Sequence, residues 1–109
     1  MLANKKKSRY VSLRSNKKCI MQSYKELVKA FSVIDNERDM EKFLAEILTE
    51  SELEALIFRW RLMKDLYHGE TQRHIAEKHR ISLCKITRGS KIIKNPESIT
   101  VKILKEMEN

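Results

Sequence analysis

Basic side chains dominate residues 71–94, where one charge sign recurs almost without the acidic residues that normally accompany it. The cations of this stretch are Arg73, Lys78, Arg80, Lys85, Arg88, Lys91 and Lys94. Glu77 is its only acidic residue. A solvated helix face usually mixes both signs, whereas a one-signed face is typical of proteins that contact phosphates. The stretch therefore indicates contact with a polyanion.

The apolar residues of the same stretch are spaced as two short helices joined by a tight turn. The residues that follow this pattern are Ile75, Ala76, Ile81, Leu83 and Ile86. Two helices that cross steeply need apolar and small side chains at their contact, and Ala76 is the small one. The spacing predicts a helix-turn-helix, with Arg80 at the turn position that often carries glycine. An αα-hairpin with incidental lysines is the alternative.

The second helix is predicted to begin after Ser82, whose hydroxyl can accept a hydrogen bond from an unpaired backbone N–H. Helical spacing then places three residues on the inner face, namely Leu83, Ile86 and Ser90. The outer face carries Lys85, Arg88 and Lys91. This outer face is the one predicted to meet the polyanion.

The sequence Ile-Thr-Arg-Gly-Ser at 86–90 resembles the signature of the bacterial Trp repressor family. The similarity covers roughly residues 48–91 and includes Leu48-Thr49, Glu54-Ala55-Leu56, Arg59, Arg61, Gly69-Glu70 and Gln72-Arg73. The resemblance implies an all-α, intertwined homodimer with a helix-turn-helix. It also implies a transcriptional repressor that binds palindromic operator DNA when L-tryptophan is bound as corepressor, and that controls genes of tryptophan metabolism.

The resemblance further implies where L-tryptophan binds. In the family, an arginine of the long helix and the arginine of the Ile-Thr-Arg-Gly-Ser sequence flank the indole ring, and these are Arg59 and Arg88 here. Thr49 and Gly89 complete the implied ligand-binding residues. The chain departs from the family pattern at two places. Ile92 occupies the position of a serine that usually binds the polar end of the ligand, and the stretch 69–73 is one residue shorter than the corresponding stretch of the family. An isoleucine side chain forms no hydrogen bond, so affinity falls or the ligand differs.

Resemblance and expected exposure together indicate the DNA-contacting residues, which are Arg73, Leu83, Cys84, Lys85, Thr87, Lys91 and Lys94. Arg73, Lys91 and Lys94 are expected mainly to position the protein on phosphates. Lys85 and Thr87 are better placed for base edges. Base contacts of the Trp repressor are largely mediated by water, so the resemblance implies no particular direct pairing.

The fold class predicted from the whole chain is all-α, with about six short to medium helices. The charged content is 35%, and two glycines and one proline leave little that would interrupt helices. A capping box at Thr49 and Glu52 predicts the start of a long helix that ends at Gly69, with Trp60 in the core. Asn95 and Pro96 predict the start of a last helix. Its predicted inner face is Ile99, Ile103, Leu104 and Met107.

Two parts are predicted along the chain. Residues 1–18 contain seven basic residues and no acid, which indicates a flexible basic arm that either adds phosphate contacts or is a solvated tail. Residues 19–109 are predicted to form a single all-α domain for DNA binding and dimerisation. Its first helix has a wide apolar face that a small monomer cannot cover alone, which favours a second copy of the chain.

Composition and cysteine usage give expectations for the location of the protein, for metal or enzyme sites and for the kind of partner. Cys19 and Cys84 are more typical of free thiols in a reducing compartment than of a disulfide, so a cytoplasmic location is expected, with no stretch long enough to span a membrane. No histidine or cysteine spacing indicates a metal site, and no residues indicate an enzyme or a cofactor besides the ligand L-tryptophan. Two alternatives remain, because a net charge of +8 identifies only an anionic partner. They are a ligand-independent helix-turn-helix DNA-binding protein and a basic helical module that binds an anionic protein or membrane surface.

Overall fold

The computed structural model describes residues 13–109, with side chains described from residue 17 onward. These residues form six α-helices, which are α1 (Leu13–Val33), α2 (Glu37–Ile47), α3 (Glu50–Tyr67), α4 (Gln72–His79), α5 (Leu83–Lys94) and α6 (Ile99–Glu108). The described residues contain no β-strand, so the predicted all-α class is confirmed. The chain divides into two compact units, one ending at Ile47 and the other running from Leu48 to Asn109. The single domain over 19–109 stays a prediction.

The first unit contains α1 and α2. The helix α1 begins at Leu13, so the arm predicted over 1–18 overlaps a helix at residues 13–18, while residues 1–12 lie outside the described part of the chain. Leucine, arginine and lysine are strong helix formers, which extends α1 beyond its apolar stripe. Asn36 caps α2 by accepting a hydrogen bond from the Asp39 backbone N–H at 2.8 Å. The ring of Phe31 meets Phe43 edge-on, with centroids 5.3 Å apart.

The apolar side of α1 is largely uncovered in the single chain. Its exposed apolar residues are Ile20, Met21, Tyr24, Val28 and Val33. Their exposed fractions range from 47% at Val28 to 74% at Val33. An apolar face of this length usually marks a surface that another protein surface covers.

The long helix α3 of the second unit begins and ends where the sequence predicted. Thr49 is its N-cap: the threonine hydroxyl accepts from the Glu52 backbone N–H at 3.2 Å, and the Thr49 N–H donates to Glu52 Oε1 at 2.8 Å. This reciprocal pair is the predicted capping box. After Tyr67 the chain turns through Gly69, whose φ of +89° is a conformation that glycine adopts without steric strain.

The buried residues of α3 lie toward its C-terminal end. Leu62 and Met63 are buried, whereas Leu56 and Ile57 are about half exposed and Trp60 is only partly buried. The prediction that Trp60 lies in the core is therefore wrong for the single chain. The reason is that α4 and α5 pack on α3 near its C-terminal end, around Leu62, and leave its first turns uncovered.

Three helices meet at the core of the second unit. Leu62 of α3, Ile75 of α4 and Ile86 of α5 form one buried cluster, in which both isoleucines have no exposed surface. Leu66, Ala76 and Ile81 pack around this cluster, and Ala76 lies where a small contact residue was predicted. The cluster fixes the two short helices against the long one.

The last helix, α6, begins later than predicted. Asn95 Oδ1 accepts from the Glu97 backbone N–H at 2.9 Å and stabilises a turn, while Ser98 caps the helix by accepting from Val101 N–H at 3.3 Å. Of its predicted inner face only Leu104 is buried, and the exposed residues are Ile99, Ile103 and Met107. The side chains of His68 and Glu108 contact each other and tie the end of α6 to the end of α3.

Candidate nucleic-acid interface and ligand site

The turn between α4 and α5 has the geometry of a helix-turn-helix. Thr71 caps α4 by accepting a hydrogen bond from His74 N–H at 3.1 Å. Arg80 ends α4 in the left-handed region, with φ 53° and ψ 46°, as expected of the turn position that glycine often occupies. Ser82 is the N-cap residue of α5 but makes no side-chain hydrogen bond there, so the predicted role of its hydroxyl is wrong.

One side of α5 is buried and the other is basic. Ile86, Gly89 and Ser90 are buried against the other helices. The exposed residues of α5 include all those predicted to contact DNA from this helix, which are Leu83, Cys84, Lys85, Thr87, Lys91 and Lys94, together with Arg88. Leu83 was also predicted to face inward, yet it is 57% exposed, because α5 first meets α3 and α4 at Ile86. Arg73 is exposed near the start of α4.

The basic residues of α3, α4 and α5 include some that pair with acidic side chains and some that do not. Lys78 lies 3.8 Å from an Asp65 carboxylate oxygen and 3.7 Å from one of Glu70, so its charge is balanced within the protein. Among the described residues, no acidic side chain pairs with the basic residues predicted to contact DNA or ligand, which are Arg59, Arg73, Lys85, Arg88, Lys91 and Lys94. Exposed cations without internal partners give a surface potential that attracts phosphates.

Thr87 is linked to α4 by a contact that the sequence pattern did not predict. Its hydroxyl oxygen lies 2.8 Å from the Leu83 carbonyl oxygen and 3.3 Å from Gln72 Oε1. Gln72 is the first residue of α4 and is partly buried. The only signal for Gln72 in the sequence was the family-like pair Gln72-Arg73, because a contact between side chains 15 positions apart depends on how the two helices cross.

The four predicted ligand residues lie on two helices that pack against each other. Thr49 is the N-cap of α3, Arg59 is exposed on α3, and Arg88 is exposed on α5. Gly89 is buried where α5 approaches α3, and a Cβ atom there would lie 2.9 Å from Leu66 Cδ1. Ile92 is partly buried on the same helix. Gly89 therefore allows α5 to pack closely on α3, because a side chain at this position would overlap Leu66.

A cleft of about 330 Å³ opens at a different place, between the start of α4 and the end of α5. It is lined by Leu66, Gly69, Glu70, Thr71, Gln72, Ser90, Ile93 and Lys94. Thr49, Arg59, Arg88 and Gly89 do not line this cleft, so it does not unite the predicted ligand residues.

The described part of the chain shows no metal site, no disulfide and no membrane-spanning helix. No group of three or more histidine, cysteine, aspartate or glutamate side chains is placed to hold a metal ion among residues 13–109. Both cysteines are exposed and free. None of the described helices combines the length and apolar composition needed to cross a bilayer.

The capping box also lowers the pKa of the Glu52 carboxyl below its ordinary value. The main cause is the hydrogen bond from the Thr49 backbone N–H, and a bond from the Thr49 side chain adds to it, because both favour the charged form.

Comparison with known proteins identifies similar sequences. The family described as Trp repressor protein matches residues 22–108. The Trp operon repressor homolog of Xylella fastidiosa (strain M23) is 40% identical over 70 residues, which cover 63% of this chain and 76% of that protein. The Trp operon repressor homolog of Chlamydia trachomatis serovar D is 39% identical over 70 residues, covering 60% of this chain and 74% of that protein. No solved structure gives a significant match.

Proposed function

Because this chain belongs to the Trp repressor family, we propose that it is a sequence-specific DNA-binding repressor that uses L-tryptophan as its corepressor. The observation that supports DNA binding most directly is the exposed side of α5, whose cations have no acidic partner among the described residues. A helix with such a face, held by a three-helix core, is suited to the major groove. The relatives named as Trp operon repressor homologs support the same role.

The proposed DNA contacts divide by chemistry. Arg73, Lys91 and Lys94 contact phosphates and set the position of the protein on the duplex. Lys85 and Thr87 face base edges. Leu83 and Cys84 add contacts from the exposed first turn of α5. Ordered water bridges many side chains to bases in Trp repressor complexes, so some of these interactions pass through water.

The proposed ligand site lies between α3 and α5. Arg59 and Arg88 stack on the two faces of the indole ring, and Thr49 and Gly89 complete the site. A ligand held between the two helices favours the orientation of α5 that binds DNA, because it binds that state more tightly.

We further propose that a second copy of the chain completes the protein. The apolar residues exposed on α6 recur every fourth position, at Ile99, Ile103 and Met107, and therefore form one stripe. The apolar side of α1 is exposed as well. Covering these two surfaces in a homodimer removes apolar area from water and makes folding and association inseparable. A symmetric dimer also matches a palindromic operator.

A titration with selected DNA tests the proposal. Duplexes are enriched from a random pool with the full chain and L-tryptophan, and affinities for the enriched and a random duplex are measured with and without the amino acid. We expect L-tryptophan to raise the ratio of specific to random affinity, and Arg59→Ala to remove this response while leaving weak ligand-free binding intact. Lys94→Ala is the matched control, because it weakens phosphate contact without touching the ligand site.

The same experiment separates the alternatives. Enrichment of a sequence that L-tryptophan does not affect, together with no heat in calorimetry at millimolar ligand, identifies a ligand-independent DNA-binding protein. No enrichment of any sequence, with salt-dependent binding to every polyanion, identifies a basic interaction module. Sedimentation at low micromolar concentration tests the dimer, and a compact, stably folded monomer contradicts it.

A further inference from the structure

The hydroxyl group of Thr87 donates its proton in a hydrogen bond within the protein. Its Oγ1 atom has two acceptors within reach, the Leu83 carbonyl oxygen at 2.8 Å and Gln72 Oε1 at 3.3 Å. The shorter contact is the bond that a helical threonine often makes to the carbonyl four residues earlier. A hydroxyl has a single proton, so whichever acceptor takes it, that proton is not available to a partner molecule.

This hydrogen bonding determines which groups of Thr87 remain available to contact DNA. An oxygen whose proton is engaged can still accept a hydrogen bond, and the γ-methyl group can make an apolar contact. Thr87 is exposed on α5, between the unpaired cations Lys85 and Lys91 along the chain. The residue therefore presents one acceptor beside one methyl group, and no donor.

An A·T base pair matches this pattern in the major groove. Adenine N6 is a hydrogen-bond donor, and thymine carries a C5 methyl group on the same groove edge. A G·C pair supplies the cytosine amino donor but lacks the methyl group. Resting on the proposed DNA-binding function, we propose that Thr87 selects an A·T pair at one position of each operator half-site. It accepts from adenine N6 and contacts the thymine methyl group.

Gln72 is the positioning residue in this scheme. Thr71 caps α4 and fixes its first turn, which begins at Gln72. The backbone of Gln72 is therefore held in α4, while its side-chain amide contacts Thr87 on α5. A partly buried glutamine with one end on Thr87 restricts the rotation of the threonine side chain. Fixing that rotation keeps the acceptor and the methyl group in the same relative positions at the groove.

Base analogues in an enriched duplex test the two contacts separately. Deoxyuridine in place of thymine removes only the methyl group, and purine in place of adenine removes only the N6 amino group. We expect each to weaken wild-type binding by roughly three- to tenfold, the effect of losing one modest contact. Thr87→Ser lacks the methyl group and should lose its response to deoxyuridine, whereas Thr87→Val lacks the oxygen and should lose its response to purine.

A methylated control strengthens the assignment. Replacing the A·T pair by G·C should weaken binding, and replacing that cytosine by C5-methylcytosine should recover part of the loss, because the pair then carries a donor and a methyl group. Gln72→Leu should reduce discrimination between A·T and G·C at this position while leaving the affinity for random duplex and the Tm unchanged. Equal losses on selected and random duplexes would instead make Gln72 a phosphate contact.

Other results overturn the inference. If Thr87→Ser and Thr87→Val respond to both analogues as the wild type does, Thr87 does not read this base pair, although the protein still binds DNA. If no sequence is enriched at all, the proposed DNA-binding function fails and this inference fails with it. Thermal melting of both variants checks that each is folded, and enrichment repeated with each variant locates the altered position.

Discussion

Replacing Gly89 by alanine tests how closely α5 packs on α3. A Cβ atom at this position would lie 2.9 Å from Leu66 Cδ1 and 3.3 Å from Met63 Sδ. Favourable separations between carbon atoms are about 3.5–4.0 Å, so the first contact is a steric overlap. Leu66 packs against the core cluster and Met63 is buried, which limits how far either side chain can move away.

Two opposing effects set the size of the change in the free energy of unfolding. Forcing extra volume into a packed core costs about 1–3 kcal/mol. Alanine is favoured over glycine inside a helix by about 1 kcal/mol, and Gly89 lies within α5. The difference gives a net destabilisation of about 0–2 kcal/mol. An open site at Gly89 would instead give a stabilisation of about 1 kcal/mol, so the sign of the change distinguishes the two cases.

Urea unfolding followed by circular dichroism measures this change, at one fixed protein concentration because association contributes to stability. We expect a lower midpoint for Gly89→Ala, and a Tm lower by roughly 4–8 °C for each kcal/mol lost. In a Leu66→Ala background the overlap is removed, so Gly89→Ala should become neutral or stabilising there. A raised midpoint in the otherwise wild-type chain would refute the close packing of α5 on α3.

Three further changes address the turn, the cap and the DNA-facing side. Arg80→Gly should stabilise the protein by about 1 kcal/mol in thermal melting, since glycine adopts the left-handed conformation without the Cβ penalty; no change would mean that the turn is not strained. The lowered pKa of Glu52 adds stability that is complete above the unfolded-state pKa of the carboxyl and is lost as the pH falls through the lower folded-state pKa. Melting between neutral and acidic pH should therefore show a smaller loss for Glu52→Ala than for the wild type. Lys85→Ala should cost about 1–3 kcal/mol of binding mainly on a selected duplex, whereas Lys94→Ala should weaken binding to all duplexes and reduce its salt dependence; equal losses from Lys85→Ala on both would remove it from base readout.

Local signals in the sequence were enough to predict the boundaries of α3 and the turn between α4 and α5. The capping box at Thr49 and the glycine at 69 involve residues close together in the chain, and the structure places both as expected. The positive φ of Arg80 follows from the same short-range pattern. Local signals misled at the start of α6, where Asn95 stabilises a turn and Ser98 caps the helix. Both residues are good caps, and nothing local ranks one above the other.

The sequence by itself determined the helical class, the one-signed charge of α5 and the motif that relates this chain to its family. These features depend on residue type and on spacing along one helix, which a linear pattern records. The tertiary structure decided which apolar residues are buried, because α4 and α5 cover Leu62 and Met63 of α3 but not Leu56 or Ile57. It also decided that Thr87 meets Gln72, since the crossing of two helices brings together side chains that no periodicity along the chain connects.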